Sequence, residues 1–243
     1  MDDLTREQFA FGTGTPVDAV NSGTIATTTG GLWIRPLALV APTTNTSVCI
    51  IGDSRAEGYV DSVTDATGDI GEIARSIGPS FGYTNLAVAG DSAKAAVTGI
   101  ANRARMFTYC SHVIDEYGIN DLALGESTST ITTARTALAQ LAGKPTYGTT
   151  LPAETTSTDN WATLANQTTK VNTNQLNSLV RGGISGEAGY FDVAAGLDPT
   201  DLQKFPVSAG TPYYSTPDGV HENSTGNTII RSSGIIQPSV LQR

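Results

Sequence analysis

The run Ser47-Val48-Cys49-Ile50-Ile51-Gly52-Asp53-Ser54 decides how the rest of the chain is read. Five mostly apolar, partly β-branched residues without polar alternation describe a strand buried on both faces, the pattern of a parallel sheet. Gly52-Asp53-Ser54 then turns the chain sharply and leaves a hydroxyl at the strand's carboxyl end. Outward from this run the same texture recurs. Strands are predicted at 83–88, 111–117, 145–150 and 189–194, separated by helices at 70–77, 92–106, 130–141, 160–180 and 225–232. The helices rest on apolar spacings of three and four. Ala93, Ala96, Val97, Ile100 and Ala104 mark one, and Ile131, Ala134, Leu138 and Leu141 another. The longest, 160–180, is drawn through Trp161, Leu164, Ala165, Thr168, Val171, Leu176 and Leu179 to the Gly182-Gly183 stop. Strands alternating with helices give an α/β fold with a mostly parallel sheet covered on both faces, whose functional groups gather at the carboxyl ends of the strands.

Residues 1–45 read differently. They are rich in Thr and Gly, carry two short strand candidates at 24–28 and 32–40, and end in a turn-rich exit, so they form an amino-terminal extension to a main domain at 46–243. The start is polar and acidic and shows no secretory leader. The longest apolar tract, 32–42, is broken by Arg35 and Pro36 and is too short to span a bilayer.

Composition excludes some partners. With 14 Lys and Arg against 23 Asp and Glu, the net charge of -9 argues against phosphate neutralisation, hence against nucleic acid as a partner, and against anionic lipid surfaces. Only 15% of residues are charged, while Thr reaches 35 and Gly 26, a balance that leans toward an extracellular, surface or virion-associated protein. The chain has two cysteines, Cys49 and Cys110, both in apolar strand-like stretches; free core thiols are favoured over one bridge between neighbouring strands. No metal-ligand array is present, so neither a metal nor another cofactor is expected.

Nucleophilic catalysis by a hydroxyl needs a fixed serine, a base, an orienting carboxylate and donors for the developing oxyanion. The chain holds two histidines, His112 and His221. His112 falls at the start of a strand, away from the catalytic end, and reads as structural. His221 lies three residues after Asp218, a spacing at which one turn points the carboxylate at the ring, and Ser54 is its natural partner. Asp115 and Glu116 sit awkwardly in a buried strand, for which Arg103 or Arg105 is the expected counter-charge.

Four blocks in order, Ile51-Gly52-Asp53-Ser54-Arg55, Asn85-Leu86-Ala87-Val88-Ala89-Gly90, Tyr117-Gly118-Ile119-Asn120-Asp121 and Asp218-Gly219-Val220-His221, resemble those of the SGNH hydrolases, the GDSL-like esterase/lipase superfamily. The resemblance spans about residues 47–239. It implies a three-layer α/β/α sandwich around a flavodoxin-like, mostly parallel five-stranded sheet. It also implies Ser54 as nucleophile, His221 as base, Asp218 as its orienting acid, and an oxyanion hole made by the N–H groups of Ser54 and Gly90 with the Asn120 amide. Two positions depart from the family pattern: Arg55 stands where an aliphatic residue is common, and Glu222 where proline is frequent. Both are expected near the mouth, where Arg55 either binds a polar or anionic part of the substrate or pairs with Glu57 or Glu222; Tyr59, Tyr117, Trp161, Tyr213 and Tyr214 are further rim candidates. The implied activity is serine-dependent hydrolysis of a carboxylic ester, with a short acyl group, above all acetyl, on a saccharide or similar small polar molecule as the expected substrate. A lipolytic esterase or thioesterase is the second reading, and a non-catalytic carbohydrate-binding or structural surface module the third. Nothing in the sequence specifies an oligomeric state.

Overall fold

The computed structural model describes residues 43–62 and 68–242. The expectations for residues 1–42, including the two strand candidates, lie outside them. The first strand, β1 (Ser47–Ile51), has four of its five residues buried, as its unbroken apolar character requires. It is flanked in a single parallel sheet by β2 (Gly82–Asn85) and β3 (His112–Asp115), beyond which lie β4 (Thr146–Thr149) and the strand Gly189–Phe191. An antiparallel hairpin of β5 (Glu154–Ser157) and β6 (Gln167–Val171) stands apart from that sheet, so Gly189–Phe191 is β7 and the main order is β2-β1-β3-β4-β7.

Helices cover both faces of the sheet. In chain order they are α1 (Ser54–Glu57), α2 (Ala74–Ile77), α3 (Ala93–Gly99), α4 (Ala101–Ala104), α5 (Ile119–Ala123), α6 (Thr128–Ala142), α7 (Asn174–Gly182), α8 (Val193–Leu197) and α9 (Ser224–Ser233). On one side α3 packs with α6, and on the other α9 packs with α2 and α8. The result is the expected three-layer α/β/α sandwich around a five-stranded parallel sheet. Val48, Ile50, Ile114 and Phe191 of the sheet close over Ala56, Ile73, Ile77, Val193, Leu197 and Ile230 in one apolar core. Among the described residues no helix is long and apolar enough to cross a membrane.

Local chemistry explains the boundaries. Ser127 accepts the amide of Thr130 at the start of α6, and Gly143 ends it in the left-handed conformation at φ 58°. The single helix expected over 92–106 is broken into α3, α4 and a 3₁₀ turn, Arg105–Tyr109. The strand expected at 189–194 stops at Phe191, because the Asp192 side chain accepts the amide of Ala195 and caps α8.

The larger correction concerns 160–180, which is not one helix. Its first part belongs to the β5–β6 hairpin, and only Asn174–Gly182 is helical. Ser157 Oγ accepts the amides of Asp159 and Trp161, and Asp159 accepts that of Ala162, so side chains take the donors that a helix would have used. Asn160 and Trp161 stand at φ 58°, and Gln167–Val171 alternates its exposure with the period of a strand. The cysteines also differ from the favoured reading. Cys49 and Cys110 form a disulfide, with Cα atoms 5.7 Å apart, because the parallel pairing of β1 with β3 brings the approach to β3 beside β1.

Candidate active site

The turn after β1 is built around a glycine that nothing else can replace: a Cβ on Gly52 would lie 2.5 Å from Glu116 Oε2 and 2.8 Å from Ala56 Cβ. This close approach lets the chain reverse directly into α1. Asp53 caps that helix by accepting the Arg55 amide at 3.1 Å, while its own N–H donates to Glu116 Oε2 at 3.0 Å. Ser54 is thereby held as the first helical residue.

Ser54 Oγ lies 2.8 Å from His221 Nε2, and His221 Nδ1 lies 2.7 Å from Asp218 Oδ2. An ionised carboxylate only accepts, so Nδ1 carries the ring proton and Nε2 accepts from the serine hydroxyl. Burial pushes Asp218 upward, but hydrogen bonds from the His221 ring and from the amides of His221 and Val220 outweigh it and hold the carboxyl at about 2. The sequence-distant residues 54, 218 and 221 thus form one chain of hydrogen bonds, and the Tyr59 ring meets the His221 ring edge-on at 4.8 Å.

Beside them, the exit of β2 runs against the Gly52–Ser54 turn: the Val88 amide donates to the Gly52 carbonyl at 3.1 Å, and the Ala89 amide to Glu57 Oε2 at 2.8 Å. Gly90 follows, exposed and at φ 78°. Asn120, in the first turn of α5, donates its side-chain amide to the Asp91 carbonyl at 2.7 Å. Asp91 is in turn gripped through its carboxylate by Tyr117 Oη at 2.8 Å and by Arg103. Asp121 accepts the amides of Ala93 and Lys94 and so fixes the start of α3.

The rim candidates divide. Tyr59 and Tyr213 are exposed at 55% and 46%. Trp161 is half-buried, its indole N–H donating to Thr155 Oγ1 at 2.8 Å and its ring 6.2 Å from that of Tyr213. Tyr214 is half-buried, its carbonyl accepting from the Asn223 amide at 3.3 Å. Tyr117 and Arg55 are not at the mouth. Tyr117 is fully buried under Asp91, whose carboxylate satisfies its hydroxyl where solvent would otherwise be needed. Arg55 points inward, its side chain completely covered, because backbone carbonyls and buried carboxylates await it there.

Of those carboxylates, sequence reasoning offers Glu222 as a partner of Arg55 and misses the rest. Asp53, Glu72, Glu116 and Glu222 are all buried around the Arg55 guanidinium, with Glu222 Oε1 at 4.0 Å from Nε. Burial raises all four, Asp53 to about 6 and Glu72 and Glu116 well above the usual carboxylate range. Asp115 is raised to about 7 by burial, against the attraction of Arg135. The partners expected from sequence, Arg103 and Arg105, are therefore not the ones used: Arg103 pairs with Asp91, while Arg135 serves Asp115 and binds Glu187 at 3.0 Å. The visible signal was polar residues in a buried strand; their partners lay too far along the chain to be read.

No protein-family profile matches the sequence, and no curated protein does. Solved structures do. A member of the lipolytic G-D-S-L family from Veillonella parvula superimposes with a TM-score of 0.54 at 17% identity, covering 80% of this chain and 98% of that one. A mutant of the acetyl-xylooligosaccharide esterase Axe2 from Geobacillus Stearmophilus gives 0.53 at 15% identity over 77% and 91% of the two chains. An α/β hydrolase from the metagenome of Lake Arreo, Spain, gives 0.51 at 16% identity over 86% and 100%. The fold is that of the GDSL/SGNH-like esterases.

Proposed function

We propose that this chain is a serine-dependent carboxylic ester hydrolase that removes short acyl groups, foremost acetyl, from a saccharide or similarly polar alcohol. The observation that carries the reading is the continuous relay Asp218–His221–Ser54, with separations of 2.7 and 2.8 Å. In the proposed reaction His221 takes the Ser54 proton as Oγ attacks the carbonyl carbon. The tetrahedral oxyanion is met by the N–H groups of Ser54 and Gly90 and by the second N–H of the Asn120 amide, whose first is held by Asp91. His221 then gives its proton to the leaving alcohol. Water, deprotonated by the same ring, releases the acid and restores the serine. Asp218, held ionised, stabilises the imidazolium at both steps.

The short-acyl, polar-alcohol preference is supported by the exposed tyrosines Tyr59, edge-on to the His221 ring, and Tyr213. The amino-terminal extension at 1–45 is proposed as a separate unit from the hydrolase domain, and the chain's setting as extracellular or surface-associated.

The test combines a serine-directed organophosphonate with a series of p-nitrophenyl esters from acetyl to dodecanoyl and a set of acetylated saccharides. Labelling at Ser54, abolished in Ser54→Ala, with turnover greatest on the shortest chain, is the expected result. Greatest turnover on dodecanoyl ester would move the reading to a lipolytic enzyme, and absence of labelling with retained glycan binding would move it to a non-catalytic module.

A further inference from the structure

We infer that Arg55 is a positioning residue that sets the distance between Ser54 and His221; the inference rests on the hydrolase reading only for its kinetic consequence. Arg55 follows the serine directly within α1, and its side chain turns into the protein, where it is wholly buried. Nε donates to the Val220 carbonyl at 2.7 Å, Nη1 to the Pro152 carbonyl at 2.6 Å and Nη2 to the Ala153 carbonyl at 3.3 Å. One guanidinium therefore joins the helix of the nucleophile, the loop of the base and the segment between β4 and β5.

The contact to Val220 matters most, because that carbonyl belongs to the same peptide group as the His221 amide. The N–H of this group donates to Asp218 Oδ1 at 2.9 Å, and its C=O accepts from Arg55. The peptide that carries the imidazole is thus gripped at both ends. Asp218 fixes how the ring is turned, and Arg55 fixes how far it stands from the serine next door. The planar guanidinium addresses the three carbonyls from three nitrogens in fixed geometry, which the single nitrogen of an ammonium on a flexible stem does not reproduce. The surrounding acids, Asp53, Glu72, Glu116 and Glu222, are what make a buried cation tolerable in this place.

The experiment compares wild type with Arg55→Lys and Arg55→Met by three measurements: thermal unfolding, kcat and KM on p-nitrophenyl acetate, and the ¹⁵N and Hε1 resonances of the His221 ring. Misplacement of a reacting group by about 1 Å costs on the order of a hundredfold. The expected result is a kcat loss of roughly ten- to a hundredfold with KM little changed, Arg55→Met exceeding Arg55→Lys, and displaced His221 resonances in both. Arg55→Lys keeps the charge among the carboxylates and decides the matter if Arg55→Met unfolds. A folded Arg55→Lys with wild-type kcat and wild-type His221 resonances overturns the inference, even if its unfolding temperature falls. Displaced resonances in a protein whose wild type hydrolyses no ester would remove the proposed activity and leave the positioning role standing.

Discussion

The Asn120 side chain donates to the backbone carbonyl of Asp91, 2.7 Å away, and so ties the first turn of α5 to the loop that follows β2. The loop end of that tie is itself braced, since the Asp91 carboxylate accepts from Tyr117 and Arg103. Loss of one oxyanion donor generally costs about a hundred- to a thousandfold in kcat. Asn120→Ala is expected to lose that much on a short ester, with KM nearly unchanged. Asp91→Asn, which weakens the brace and keeps the carbonyl, is expected to lose less. Steady-state kinetics of the two variants check the order.

Stability should peak on the acidic side of neutrality. Asp53 and Asp115 are raised by burial from 3.8 to about 6 and about 7, so they favour the folded state while protonated. Their contribution is complete below pH 3.8 and is lost as the pH rises through 6 to 7. Asp218, held near 2, works the other way: its contribution is present above 3.8 and is lost as the pH falls toward 2. Urea midpoints from pH 3 to 9 are expected to be highest at about pH 4, to decline from there to about pH 7, and to change little above it. A midpoint that climbs steadily from pH 5 to 8 would contradict this.

Gly219 and Gly183 separate two kinds of strain. Both have positive φ, 75° and 90°, yet a Cβ at Gly183 meets nothing within 4 Å, whereas one at Gly219 would overlap the Thr155 carbonyl oxygen and lie 2.5 Å from Trp161 Cζ2. Gly183→Ala should cost on the order of 1–3 kcal/mol, the conformational penalty alone. Gly219→Ala should cost clearly more, since an indole must also move, and should depress turnover by displacing the His221 loop. Denaturant titration and kinetics of the pair are the check.

The Cys49–Cys110 bridge closes a separation of 61 residues. By chain entropy, a loop of this length restricts the unfolded state by roughly 4 kcal/mol. The Cys49→Ala/Cys110→Ala double variant, or the reduced protein, should unfold at correspondingly lower guanidinium concentration. An unchanged midpoint would show that the bond constrains little.

What was legible followed from local pattern. The run 47–51 announced a buried parallel strand because its apolar residues do not alternate with polar ones, and each of the four motif blocks falls at or just beyond a strand end except the last, which lies in the long loop before α9. The hairpin was hidden because Trp161, Leu164, Thr168 and Val171 fall at helical spacing by coincidence. The competing signal, Ser157 and Asp159 capturing nearby amides, is visible only once the side chains are placed. For Arg55 the pairing with Glu222 was legible and the placement at the mouth was not, since sequence does not show which way a side chain leaves a four-residue helix. The acids that draw it inward come from positions 72, 116 and 222, and only the folded topology assembles them.

The hairpin lies outside the main sheet, yet the Thr155 amide donates to the Gly219 carbonyl at 2.8 Å and Trp161 lies against the same residue. Ser54 and His221 therefore stand on different foundations: Ser54 follows an interior strand of the main sheet, and the loop of His221 rests on a small two-stranded annex. Changes in the annex's length or sequence can retune where the imidazole sits while leaving the serine untouched, a division that lets reactivity be adjusted without disturbing the frame.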